Sequence, residues 1–113
     1  MKPPIRILYF DDSVWDRELV QKALQSEGAD FTLTLAASRA EFERLLAEGK
    51  FDLVLSDFHL PGYDGLQVME AVHQMDPDLP VLIVTGTGSE ETAVQALRAG
   101  AADYVIKSPE HLR

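Results

Sequence analysis

A chain of 113 residues and 12.5 kDa amounts to one domain, long enough to bury roughly two-thirds of its unfolded surface. Its 46 % hydrophobic and 26 % charged residues exclude a disordered or fibrous chain. Ten Lys and Arg against 19 Asp and Glu leave a net charge of −9 and a pI near 4.6, a surface that repels phosphate backbones and argues against direct nucleic-acid binding by this segment.

There is no cysteine, so disulfides and thiolate metal sites are excluded, in keeping with a cytoplasmic location. The start, MKPPIRILYFDDS, is neither a signal peptide nor a membrane span. Ile5 to Phe10 reads as a strand running into Asp11 and Asp12. Ser13 can cap a helix through about Glu27, with Trp15, Leu19, Ala23 and Leu24 on one face and Gly28 as its stop. Phe31 to Ala36 is a second strand. Ser38 and Glu41 make a capping-box pattern before Phe42, Leu45 and Leu46, and Gly49 ends that helix.

Phe51 to Ser56 is the third strand, ending at Asp57. Its run Leu53-Val54-Leu55 suits burial on both sheet faces. Pro61, Gly62 and Gly65 punctuate a loop, and Leu66, Met69 and Val72 mark one face of the next helix. Leu79 to Val84 is the fourth strand, leading into Thr85-Gly86-Thr87-Gly88. Ser89 opens a helix with Glu90 and Glu91 in its first turn, where the helix dipole favours anions. Ala93, Val94 and Leu97 are expected to face inward, and Arg98 and Gly100 to close it. Asp103 to Ile106 is the fifth strand, ending at Lys107.

Five strands alternating with helices imply an α/β fold. The expectation is a three-layer α/β/α sandwich around a doubly wound, five-stranded parallel sheet of order 2-1-3-4-5, flavodoxin-like. Pro109 to Arg113 are too few for a full fifth helix, so it reads as truncated, and residues 1–113 as a single domain cut from a longer protein.

In such a sheet, ligands bind beyond the carboxyl ends of the strands. Those ends carry Asp11 and Asp12, Asp57, Thr85 and Lys107. With strand one beside strand three, three carboxylates converge next to a hydroxyl and an ammonium. Clustered carboxylates repel and persist most easily around a hard dication, and Mg²⁺ suits one or two carboxylates plus water. A nucleophilic carboxylate beside Mg²⁺, a hydroxyl and an ammonium is a phosphoryl-transfer arrangement.

Asp11-Asp12, Asp57, the LPGYDG segment from Leu60 to Gly65, Thr85-Gly86, and Gly100-Ala101-Ala102-Asp103-Tyr104 leading to Lys107 together resemble a two-component response-regulator receiver domain over essentially the whole chain. Each motif alone is weak; all of them in order are specific. The resemblance implies that Asp57 is the phosphoacceptor, and that Asp11, Asp12, Asp57 and the backbone carbonyl of His59 hold Mg²⁺. It further implies that Lys107 pairs with phosphoryl oxygens, that Thr85 and Tyr104 form a switch, and that His59 and Thr87 tune phosphoryl lifetime. The implied partners are a sensor histidine kinase or histidine phosphotransfer protein and an output domain or effector, with no membrane and with a homodimer allowed.

Blander readings stand beside these. Asp11 and Asp12 could be a solvated strand end or a helix cap. Thr85 could be a turn residue, Lys107 an exposed strand end and Tyr104 a half-buried strand aromatic. Trp15 reads as packing, and His73 and His111 as surface residues. The chain departs from the family where Ser108, not proline, follows Lys107; the Lys107-Ser108 bond is therefore expected to be trans, with Pro109 at the first turn of the last helix. That departure weakens the usual dimer surface of helix four, strand five and helix five.

Three competing functions remain. A haloacid-dehalogenase-type Mg²⁺-dependent phosphohydrolase would carry its nucleophile after the first strand and an acid-base Asp two residues on, where Asp57 is followed by His59. A flavodoxin-like cofactor binder would use Thr85 to Ser89 as a phosphate loop, but places it after strand one. A phosphorylation-independent pseudo-receiver would lack the complete acidic and lysine set.

Overall fold

Each apolar run becomes a strand because its alternate residues have a hydrophobic layer to enter on either side. The computed structural model describes residues 4–11, 17–18, 20–22, 25, 30–57, 63–85, 94–95 and 97–106, with the backbone alone for Thr85 and residues 104–106. Five parallel strands, β1 (Ile5–Phe10), β2 (Phe31–Ala36), β3 (Leu53–Ser56), β4 (Val81–Thr85) and β5 (Asp103–Ile106), form one sheet ordered β2-β1-β3-β4-β5. Helices cover Arg39–Glu48 and Gly65–Met75, and residues 17–18, 20–22, 25, 94–95 and 97–98 are also helical. The expected flavodoxin-like α/β order is therefore the observed one.

Period-two alternation sorts the core into two layers. Ile7, Tyr9, Leu55 and Val84 pack with Val20 of the first helical segment. Leu8, Phe10, Val54, Val81 and Ile83 pack on the opposite face with Phe42 of helix Arg39–Glu48 and Val68, Met69 and Val72 of helix Gly65–Met75. Phe10 and Phe42 stack with centroids 4.8 Å apart, and Tyr63 closes the group at 5.9 Å from Phe10. Such pairs add about 0.5–1.5 kcal/mol beyond their buried area. They fasten helix Arg39–Glu48, and Tyr63 just ahead of helix Gly65–Met75, to the strand that leads into Asp11.

Several boundaries differ from expectation, each for a local reason. β3 starts at Leu53, not Phe51: the Asp52 N–H still donates to the Arg6 carbonyl at 2.7 Å, but the Arg6 N–H donates to the Asp52 carboxylate at 2.9 Å instead of to a backbone carbonyl, and the Arg6 guanidinium adds to that contact. β4 runs from Val81 to Thr85 rather than from Leu79 to Val84. Pro80 has no N–H to donate, and Leu79 turns back to donate to the Asp76 carbonyl at 3.2 Å.

The capping pattern at Ser38 is half realised. Ser38 Oγ accepts from the Glu41 N–H, but the Glu41 carboxylate takes the N–H of Ala37 instead of Ser38. The reciprocal box lies at Asp64 and Gln67, ahead of helix Gly65–Met75. In that helix Val68, Met69 and Val72 are buried with Gly65, while Leu66 is exposed.

Val94 and Leu97 are 45 % and 49 % exposed, against the expectation that they face inward. Their helical segment connects β4 to the edge strand β5, where the sheet continues on one side only. His73, read as a surface residue, is half-buried with its ring against Gly100. Trp15, Leu19, Ala23, Leu24, His111, the start and end expected for the first helix, and any fifth helix lie outside the described residues.

Candidate functional site

The site is built from the ends of β1 and β3. Phe10 and Ser56 are the last paired residues of these strands, so Asp11 and Asp57 follow at the same level. The Asp57 N–H donates to the Phe10 carbonyl at 3.0 Å, and the Asp11 N–H donates to the Ala36 carbonyl of β2 at 3.1 Å. Backbone hydrogen bonds thus carry the ladder one residue beyond the strands and hold both carboxylate-bearing residues on rigid neighbours. Adjacent strands lie about 4.8 Å apart.

Both residues are withdrawn from water. Asp11 is 0 % exposed and Asp57 8 %. That removes the reading of Asp11 as a solvated strand end. Tyr9, two residues before Asp11 and wholly buried, donates its phenol O–H to Asp11 Oδ2 at 2.8 Å. The buried Ser56 hydroxyl donates to the Asp57 carbonyl at 2.8 Å, fixing the peptide that follows the acid. Sequence reasoning passed over both hydroxyls. The signal for Tyr9 was its spacing: residues i and i+2 of an extended chain share a face.

Thr85 is the last residue of β4 rather than a turn residue, paired with Ile106 of β5, and Lys107 is the next residue in the chain. Tyr104 lies on β5 opposite Ile83. The side chains of Thr85 and Tyr104, and all of Asp12, His59, Thr87, Lys107, Ser108 and Pro109, lie outside the described residues. Among the described residues no group of three or more metal-ligating side chains occurs. The two carboxylates that are described suit a hard divalent cation, because Mg²⁺ accepts one or two carboxylates and completes its shell with water. A cation there would also offset the repulsion between two buried acids.

Comparison with known proteins decides the family. The family model described as response regulator receiver domain matches residues 7–113. The chain belongs to the response regulator receiver domain family. It is 39 % identical over 103 residues to the transcriptional regulatory protein ZraR of Salmonella typhimurium, covering 91 % of this chain and 23 % of that protein. The chain thus spans about a quarter of the length of that curated relative. Among solved structures, the receiver domain of NtrX from Brucella abortus aligns with a TM-score of 0.80 at 34 % identity, covering 94 % of this chain and 90 % of that one. A response regulator from Burkholderia pseudomallei, solved with a phosphorylated aspartic acid, a calcium ion and citrate, aligns with a TM-score of 0.77 at 28 % identity, covering 96 % and 66 %.

The receiver family is the phospho-accepting module of two-component signalling, so this chain is a signalling domain. Membership sets aside the phosphohydrolase and flavodoxin readings. Among the described residues no helix is long and apolar enough to cross a membrane.

Proposed function

We propose that Asp57 is the phosphoacceptor of this receiver and that Asp11 and Asp12, with Asp57 and the His59 carbonyl, hold Mg²⁺. The observation that carries this reading is the position of Asp57: it directly follows β3, is nearly buried, and is tied through its own N–H to the strand that delivers the buried Asp11. A carboxylate oxygen of Asp57 attacks phosphorus, and the bond from phosphorus to the donor breaks. The donor keeps that electron pair, and Asp57 becomes an acyl phosphate. Bound Mg²⁺ would neutralise charge on the transferring group. Lys107 pairs with phosphoryl oxygens in this reading. Thr85 turns its hydroxyl toward the phosphoryl group, Tyr104 changes position with it, and His59 and Thr87 set how fast water removes it.

The phosphoryl donor is a sensor histidine kinase or a histidine phosphotransfer protein, and residues 1–113 act as a single receiver domain in the cytoplasm. ZraR is a transcriptional regulatory protein, which supports an output acting on DNA in the whole protein while this acidic segment itself stays off nucleic acid. The exposed Val94 and Leu97 support an effector or a second copy docking near β5.

The test is intact mass after incubation with acetyl phosphate and Mg²⁺. One added phosphoryl group in the wild type, absent without Mg²⁺ and in Asp57→Asn, is the expected result. No adduct in the folded protein, together with no beryllofluoride binding, would leave a pseudo-receiver and overturn the proposal.

A further inference from the structure

Tyr9 combines features that a packing role does not require. Its ring lies in the cluster of Ile7, Val20, Leu55 and Val84, where an apolar ring would fill the same space. A phenol hydroxyl taken out of water carries a desolvation cost unless it finds a partner. Here that partner is Asp11 Oδ2, at 2.8 Å, in a side chain that is itself 0 % exposed. An ionised carboxylate only accepts, so the phenol is the donor. Tyr9 and Asp11 share a face because they are two residues apart on an extended chain. The strand therefore delivers a rigid donor to a carboxylate at the end of the same strand.

We propose that Tyr9 is a positioning residue of the divalent-cation site, fixing the Asp11 carboxylate before the cation arrives. The inference rests on the proposed role of Asp11 as a ligand. Two effects oppose each other. The phenol withdraws some charge from Asp11, which weakens it as a ligand. It also removes the rotational freedom that a short acidic side chain would otherwise lose on binding, and it satisfies one buried oxygen. The second effect outweighs the first, because a neutral donor withdraws little charge, whereas loss of an outer partner that orients a metal ligand typically weakens binding about ten- to a hundred-fold. The tyrosine ring is held by packing, so the donor itself needs no ordering.

Tyr9→Phe keeps the ring and removes only the hydroxyl. Mn²⁺ affinity, read from the free-ion electron paramagnetic resonance signal, is expected to fall about ten- to a hundred-fold, with the metal-free far-ultraviolet spectrum unchanged. In acetyl phosphate labelling, the half-saturating Mg²⁺ concentration should rise by the same factor, while the maximal rate returns to that of the wild type at saturating Mg²⁺. Wild-type binding of Mn²⁺ with Tyr9→Phe within twofold of it would overturn this inference alone. So would an unchanged half-saturation with a lowered maximal rate, the signature of a packing role. Absence of Mn²⁺ binding by the wild type would overturn the metal role of Asp11 and this inference together.

Discussion

The N–H of Asp57 donates to the carbonyl oxygen of Phe10 at 3.0 Å, so the residue after β3 is fastened to the residue before Asp11. The backbone, not the side chains, brings the two acids level. If they hold a cation, folding and cation binding are linked. At a Mg²⁺ concentration of 100 times its dissociation constant, the folded state gains about 2.7 kcal/mol. For a domain of this size that corresponds to a thermal midpoint on the order of 10 °C higher. Calorimetry with Mg²⁺ and with EDTA should show this shift in the wild type and lose most of it in Asp11→Asn. An equal shift in both proteins would count against Asp11 as a ligand.

Asp64 caps helix Gly65–Met75 reciprocally with Gln67, whereas Ser38 caps helix Arg39–Glu48 through its own hydroxyl alone. Asp64→Ala is expected to cost about 1–2 kcal/mol and Ser38→Ala about 0.5–1 kcal/mol. Urea unfolding measures both. The reverse ranking would show that the Asp64 box adds nothing to a single cap.

Gly100 has φ +108°, and a Cβ built there would come within 2.9 Å of His73 Cε1. Gly100→Ala therefore meets both backbone strain and a contact, for a cost of about 1–3 kcal/mol. Adding His73→Ala relieves the contact but not the strain. Less than half of the loss should return in the double variant, as read from urea midpoints. Full recovery would assign the glycine to the contact alone.

Asp52 has its acidity strengthened, first by the Arg6 backbone N–H and then by the Arg6 side chain. A carboxylate with a depressed folded pKa stabilises the fold above its ordinary range near 3.8. That contribution fades as pH falls from there through the lower folded value. The thermal midpoint of Asp52→Ala should lie below that of the wild type at pH 7, and the gap should narrow below pH ~4. Solvent screens this exposed pair, so 0.5 M NaCl should narrow the gap by weakening the side-chain contacts. A gap that stays constant from pH 7 to pH 3 would rule out the ionised form as its source.

Much of this protein was legible in its residues alone. Strands β1, β2 and β5 have the expected bounds, each a short and mostly apolar run with a charged residue at one end: Asp11 after β1, Asp30 before β2 and Lys107 after β5. Their alternation with helices was enough for a parallel sheet; the order 2-1-3-4-5, since observed, came with the flavodoxin-like type that the chain resembles. Asp11 and Asp57 could be placed together from that order. Tertiary structure decided what depends on contacts across the chain. The Arg6 N–H took the Asp52 carboxylate as its acceptor, Val94 and Leu97 came out exposed, and burial separated Asp11 from a solvated strand end. The pairing of Tyr9 with Asp11 was implicit in their spacing, yet only the packed layer shows the hydroxyl enclosed with that carboxylate as its acceptor. Local patterns set which way a side chain points; how much water it loses, and who takes its hydrogen bond, is set by everything packed around it.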